Sequence, residues 1–209
     1  MEKIIDIDSW KRKEEYLFFK KFQSPLISVV VDVDCTRACE QAKKQGVTLS
    51  LYYFHAALTA VNRIEEFRYR QRDGQVVLYD KINLFTPILT ADENYRSVAI
   101  PYHEKLEDFV AAATPVIERA KRGEGHAHGN GESRLDQVLI SVNPWYRFRG
   151  LQLSDPLNPH ETFPIFTFGK ITPENGKLLM PVSLRVSHSF TDGFHIGKFL
   201  DIFQQMLDR

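Results

Sequence analysis

Only two cysteines, Cys35 and Cys39, occur in 209 residues, four apart in a segment of helical character. That spacing makes neither a Cys-x-x-Cys motif nor half of a zinc site, so disulfide-stapled and zinc-ribbon folds are excluded and reduced thiols are expected. Charge of one sign is also missing. Against 27 Lys and Arg stand 27 Asp and Glu, which leaves no net field to draw nucleic acid or anionic lipid. No apolar run approaches the roughly 20 residues that cross a bilayer. The opening MEKIIDIDSWKRKEE has neither the basic start nor the apolar core of a secretion signal, so a cytoplasmic protein is expected. A phosphate-cradling loop is lacking too. The glycine-rich stretch at 123–133, GEGHAHGNGES, ends without Lys-Ser/Thr and has no G-x-G-x-x-G. Its His126 and His128 have no third ligand at hand, so it reads as a polar surface loop and no metal is expected.

What is present is a globular composition, 43% hydrophobic, long enough to bury a core without staples. No repeat or linker divides it, so a single domain over 1–209 is expected. Residues 8–20, with Asp8 and Ser9 as caps and Arg12 inside, read as a short amphipathic helix. LISVVVDVD after Pro25 is a β-branched strand, and CTRACEQAKKQG a helix closed by Gly46. Residues 49–67 are apolar around most of a helical circumference, which predicts a central buried helix holding His55 as a core histidine. Asp73-Gly74 marks a hairpin, and sheet character continues to Tyr102. Residues 105–121 return to a helical pattern that Pro115 is expected to break or kink unless it begins a second helical piece. Three more strands follow: one ending at Asn143-Pro144, then FPIFTFGKI and KLLMPVSLRVS around the turn TPENG. A closing helix from Gly193 to Asp208 puts Phe194, Ile196, Phe199, Leu200, Phe203 and Leu207 on its buried side. Hairpins mixed with helices predict an α+β fold: a two-layer sandwich in which a mixed, largely antiparallel sheet is covered by helices.

The stretch 182–199, VSLRVSHSFTDGFHIGKF, is the first candidate for chemistry. Val182, Leu184 and Val186 alternate as a strand, His188 ends it, and Asp192-Gly193 opens the next helix. A histidine at a strand-to-helix junction is fixed in place and can still reach a cleft, as general acid/base work requires. Taken alone, the pattern fits a core histidine beside a capped helix better than a catalytic one.

Context reverses that preference. RVSHSFTDGFHIGKF resembles the active-site signature of the chloramphenicol acetyltransferases and, more loosely, the catalytic cores of dihydrolipoamide acyltransferases. SWKRKEEYLFF, EEFRYRQRDGQVVLYD, ISVNPWYRF and FPIFTFGK resemble further segments of the family in the same order, so the resemblance covers nearly the whole chain. It implies an acetyl-CoA-dependent O-acetyltransferase acting on chloramphenicol or a related small alcohol. His188 would be the general base, Asp192 would pair with Arg12 to fix the turn, and Ser141 would donate to the oxyanion. Thr167 would act through a water, Lys170 would approach a CoA phosphate, and Phe18, Phe19 and Ile27 would line the acceptor pocket. A homotrimer with active sites between subunits is implied as well. The chain departs from the family pattern at Ser187, which replaces the first of two paired histidines, at Phe19, which stands for a tyrosine, and around Ser24 to Ile27. The 123–133 loop is also shorter and more polar than its counterpart. The departures touch the acceptor side. A different acceptor, a non-catalytic binder of CoA that keeps the fold, and an acyltransferase for a carrier-bound lipoyl thiol are the competing readings.

Overall fold

The computed structural model describes residues 2–127 and 134–209, so His128 lies outside the described residues. In chain order the elements are β1 (Glu2–Ile4), α1 (Lys13–Phe19), β2 (Leu26–Asp34), α2 (Thr36–Lys44), α3 (Leu49–Arg63), β3 (Tyr69–Arg72), β4 (Gln75–Tyr79), β5 (Asn83–Leu89) and β6 (Tyr95–Ile100), followed by α4 (Leu106–Lys121), β7 (Gln137–Val142), β8 (Ile165–Phe168), β9 (Thr172–Glu174), β10 (Lys177–Ser187) and α5 (Gly193–Leu207). The main sheet has the order β2-β10-β8-β7-β5-β6, with β9 paired to β10; β1, β4 and β3 form a small second sheet. Every pairing is antiparallel except β5 with β7 and β7 with β8. Both predicted tight turns form. Asp73-Gly74 and Asn175-Gly176 have positive φ at both central positions, the backbone that matches the twist of two-residue hairpins.

Alternation in β10 sets the layers. Val182, Leu184 and Val186 are fully buried and face the helices, where Phe166 and Phe199 pack at 5.1 Å and Phe67 and Phe199 at 5.4 Å. α3 is the buried helix that its composition predicts, with 51–61 enclosed throughout. His55 sits in the core with Nε2 3.1 Å from the carbonyls of His103 and Glu104, a satisfied structural histidine. Burial also pushes the Cys35 thiol up to about 12, leaving it protonated and unreactive.

Four sequence expectations change. α1 starts at Lys13, so Arg12 precedes the helix, and a separate 3-10 turn at Ile7–Ser9 is capped by Asp6. The break follows from Trp10, whose ring packs 4.9 Å from Tyr69 and 6.0 Å from Tyr16. α3 stops at Arg63, and a 3-10 turn at Glu65–Phe67 points Glu66 and Phe67 inward. α4 runs unbroken through Pro115. Ala111 and Pro115 are both exposed, so the carbonyl that loses its partner meets solvent. In α5, Phe194 is 68% exposed while Ile196, Phe199, Phe203 and Leu207 take the buried side.

The other face of the sheet is covered by the irregular segment 143–164. Arg147 bonds Asp32 at 2.7 Å and also reaches Glu174. Arg185 donates to the Ser154 carbonyl at 2.8 Å and pairs with Asp155. Phe148 closes over Gly169, where a Cβ would stand 2.6 Å from Pro181 and 2.8 Å from the Phe148 ring. Gly169→Ala is therefore expected to cost about 1–3 kcal/mol through overpacking, read as a lowered urea midpoint.

Candidate active site

His188 follows β10, with its N–H bonded to the Pro25 carbonyl at 2.8 Å. Its ring lies flat on Phe19, centroids 4.2 Å apart and planes within 18°. Nδ1 is enclosed without a hydrogen-bond partner among the described residues, which leaves Nε2 as the nitrogen turned outward. Phe18, Phe19 and Phe22 pack on one another at 5.1–5.5 Å, and Phe18 and Phe22 are half exposed, giving an aromatic wall beside the imidazole. Ile27 lies opposite Val186, one strand pair from this turn.

Asp192 caps α5 and does not orient His188. Its Oδ1 accepts from the N–H groups of Phe194 and His195 at 3.0 and 3.3 Å, and its Oδ2 from Arg12 Nη1 at 3.1 Å. Burial opposes the charge, but Arg12 and the helix N–H groups outweigh it and hold the carboxyl below its ordinary range. His195 completes a capping box with Asp192 and faces Glu66.

Ser141 and Thr167 are paired in register across β7 and β8, and Thr167 is paired with Ser183 across β8 and β10. Three hydroxyl side chains thus sit in a row on the face away from the helices. Ser183 went unnoticed in the sequence, although the Ser183, Arg185, Ser187 alternation marks that face. Ser187, at the end of the same strand, is four residues past Ser183, roughly 13 Å at 3.3 Å per residue. Ser141 lies two strands farther over, about 10 Å. Within one chain, the His188 turn and the Ser141–Thr167 pair do not meet.

Lys170 is exposed just past β8, its N–H bonded to the Tyr146 carbonyl at 3.1 Å. At the end of β7 a cleft of about 420 Å3 opens between α3, α4 and β5, lined by Phe54, Leu89, Ile117, Lys121, Val142 and Trp145. It begins one residue from Ser141. No cluster of metal-ligating side chains occurs among the described residues, and no helix there is long and apolar enough to cross a membrane.

The family model described as chloramphenicol acetyltransferase matches residues 2–204. A chloramphenicol acetyltransferase of Proteus mirabilis is 29% identical over 98% of this chain and 94% of its own length; chloramphenicol acetyltransferase 3 of Escherichia coli is 26% identical over 96% and 94%. A solved chloramphenicol acetyltransferase superposes with a TM-score of 0.88 at 33% identity, covering 99% of this chain and all of that one. A probable dihydrolipoamide acetyltransferase of Listeria monocytogenes shares the fold, with a TM-score of 0.63 at 15% identity over 93% of this chain and 88% of its own.

Because the Asp192 pKa is lowered, the stabilisation from Arg12 is complete above the ordinary aspartate value of 3.8 and is lost as pH falls through the lowered value. Arg12→Met should cost about 2–3 kcal/mol at pH 7, less than for a fully buried pair because Asp192 keeps a third of its exposure. Urea unfolding at pH 7 and pH 3 should show the difference from wild type narrowing in acid.

Proposed function

The chain belongs to the chloramphenicol acetyltransferase family and is an acyltransferase, and on that premise we propose that it moves the acetyl group of acetyl-CoA to a hydroxyl of chloramphenicol or a related small alcohol in the cytoplasm. The observation that carries the mechanism is the held imidazole: His188 is pinned through its backbone, its ring is fixed flat on Phe19, and Nε2 is free to act. Nε2 takes the proton of the acceptor hydroxyl as that oxygen attacks the thioester carbonyl. The Ser141 hydroxyl donates to the oxyanion, directly where charge develops, and Thr167 assists through a water. Collapse breaks the C–S bond, and the proton on His188 passes to the departing CoA thiolate. Base and hydroxyl are restored with the acetyl ester as product.

The distance between His188 and the Ser141–Thr167 pair supports a site shared between copies of the chain, with His188 of one subunit meeting the hydroxyls of the next in a homotrimer. The cleft beside Val142 suits the thin, largely apolar arm of the acyl donor. Lys121 lines it, paired with Glu118 at 2.8 Å, and exposed Lys170 offers a cation for the donor's phosphates. Phe18, Phe19 and Phe22 give the acceptor an apolar seat, whereas Ile27, first expected to line it, packs on the core on the same face as Val186. Phe19 lacks the phenolic hydroxyl of the family's tyrosine and so offers one polar contact fewer.

Purified protein should release free thiol from acetyl-CoA when chloramphenicol is added. His188→Ala should lower the rate about 10⁴-fold, and Ser141→Ala about 10²–10³-fold. No thiol release with chloramphenicol or a panel of other alcohols would sink the assignment. Refolding the two inactive variants together should restore activity through oligomers that carry one intact shared site; mixtures as inactive as their parts would exclude sharing.

A further inference from the structure

Around the start of α5, five side chains form a ring closed through the Lys11–Arg12 backbone, and three of them, Lys11, Glu66 and His195, have no part in the chemistry above. Arg12 holds Asp192 Oδ2 at 3.1 Å. Its sequence neighbour Lys11 donates to Glu66 Oε1 at 2.9 Å. Between the two carboxylates stands the imidazole of His195. Its Nδ1 lies 2.8 Å from Asp192 Oδ1 and 3.3 Å from the Asp192 backbone nitrogen, and its Nε2 faces Glu66 Oε1 across 3.5 Å. That is an electrostatic contact rather than a short hydrogen bond. A second tie runs in parallel, from the Thr191 hydroxyl to the Glu66 carbonyl at 3.3 Å.

Glu66 and His195 are 8% and 7% exposed, so solvent screens their contact little. Burial works against the charge on Glu66, but the Lys11 bond and the neighbouring His195 hold its carboxyl below the ordinary range. A buried carboxylate is costly to keep, and here its charge is directed at one ring nitrogen. The 188–192 turn is therefore gripped on two sides: by Arg12 through Asp192, and by the 3-10 turn at Glu65–Phe67 through Glu66.

We propose that Glu66 and His195 are positioning residues for acetyl transfer: the His195 imidazole bridges the two carboxylates and fixes the turn from which His188 works. The proposal rests on the acetyltransferase reading, and its test separates the two.

Glu66→Met removes the carboxylate at similar volume, and Lys11, already 62% exposed, is left to water. His195→Leu removes the bridge. His195→Gln keeps it, because the amide oxygen can accept the Asp192 N–H as in other capping boxes while its NH2 turns to Glu66. Glu66→Met and His195→Leu should each lower kcat about tenfold, with KM for both substrates within about twofold of wild type. The double variant should fall no further, since both break one unit, and His195→Gln should stay within about threefold of wild type. Should Glu66→Met not fold, Glu66→Gln keeps the Lys11 bond and drops the charge, with about a threefold effect expected.

The second readout needs no turnover. The rate at which diethyl pyrocarbonate modifies His188, resolved from His195 by peptide mass, should shift at least about threefold in both the Glu66 and the His195→Leu variants. An unchanged His188 labelling rate, or losses in kcat that multiply in the double variant, would overturn the proposal. Absent turnover in wild-type protein would instead remove the acetyltransferase reading, and the labelling rates would still decide whether the ring positions His188.

Discussion

Arg12 reaches Asp192 across 180 residues of sequence, and the placement of the turn that carries His188 follows from that pair. Among the described residues no carboxylate bonds the His188 ring; what holds it is backbone and packing. The turn that carries it is anchored at its far end by Asp192, which divides its two oxygens between a guanidinium and a helix N-terminus. A carboxylate used this way does two jobs. It satisfies N–H groups that α5 cannot pair internally, and it ties the last helix to the segment before the first. Arg12 is 7% exposed, with Nε and Nη2 unpartnered among the described residues, so removing Asp192 would strand a buried cation. The pair therefore holds geometry more than it adds stability.

Much of this was legible in the sequence. The alternation of Val182, Leu184 and Val186 gave the strand and its buried face, and Asp73-Gly74 gave the hairpin, because both patterns are local consequences of backbone geometry. The pairing of Arg12 with Asp192 could be named only through family resemblance, since nothing in the spacing of two residues 180 apart predicts contact. Helix ends were least legible where tertiary packing overrode propensity. Trp10 leaves the helical path to join Tyr16, Tyr69 and Phe190, and Glu66 and Phe67 turn inward where the pattern ran on as helix. Glu66 carried no signal at all, because one of two adjacent glutamates before an aromatic residue reads as surface. Its burial depends on the Lys11 ammonium and the His195 ring, which arrive from opposite ends of the chain.

Arg70 explains how the 3-10 turn bearing Glu66 is itself held. It is almost fully enclosed, and its guanidinium donates to four backbone carbonyls: Leu135 at 2.8 Å, Phe67 at 2.8 Å, Tyr69 at 2.7 Å and Gln137 at 2.9 Å. No carboxylate bonds it among the described residues, and burial pulls its pKa down to about 9. Four carbonyl dipoles replace the lost hydration. The clamp joins the small sheet to the start of β7, the strand that carries Ser141 at its other end. One arginine thus fixes both the support of the His188 turn and the strand that carries Ser141.

The division of polar residues between the two faces of the main sheet explains why such fixing matters. Ser141, Thr167 and Ser183 lie in a row on the face away from the helices, and Thr167 and Ser183 are 3% exposed. Buried hydroxyls there are held by their strands and cannot swing toward His188. His188 in turn stands at the end of β10, stacked on Phe19. Neither half can adjust to the other within one chain, so any catalysis that joins them depends on rigid halves brought together by assembly. Rigid halves meet in register only if each is already in its final position. On that argument the ring around Asp192 and the clamp at Arg70 form before any assembly, and the aromatic wall beside His188 keeps Phe18 and Phe22 half exposed in the single chain.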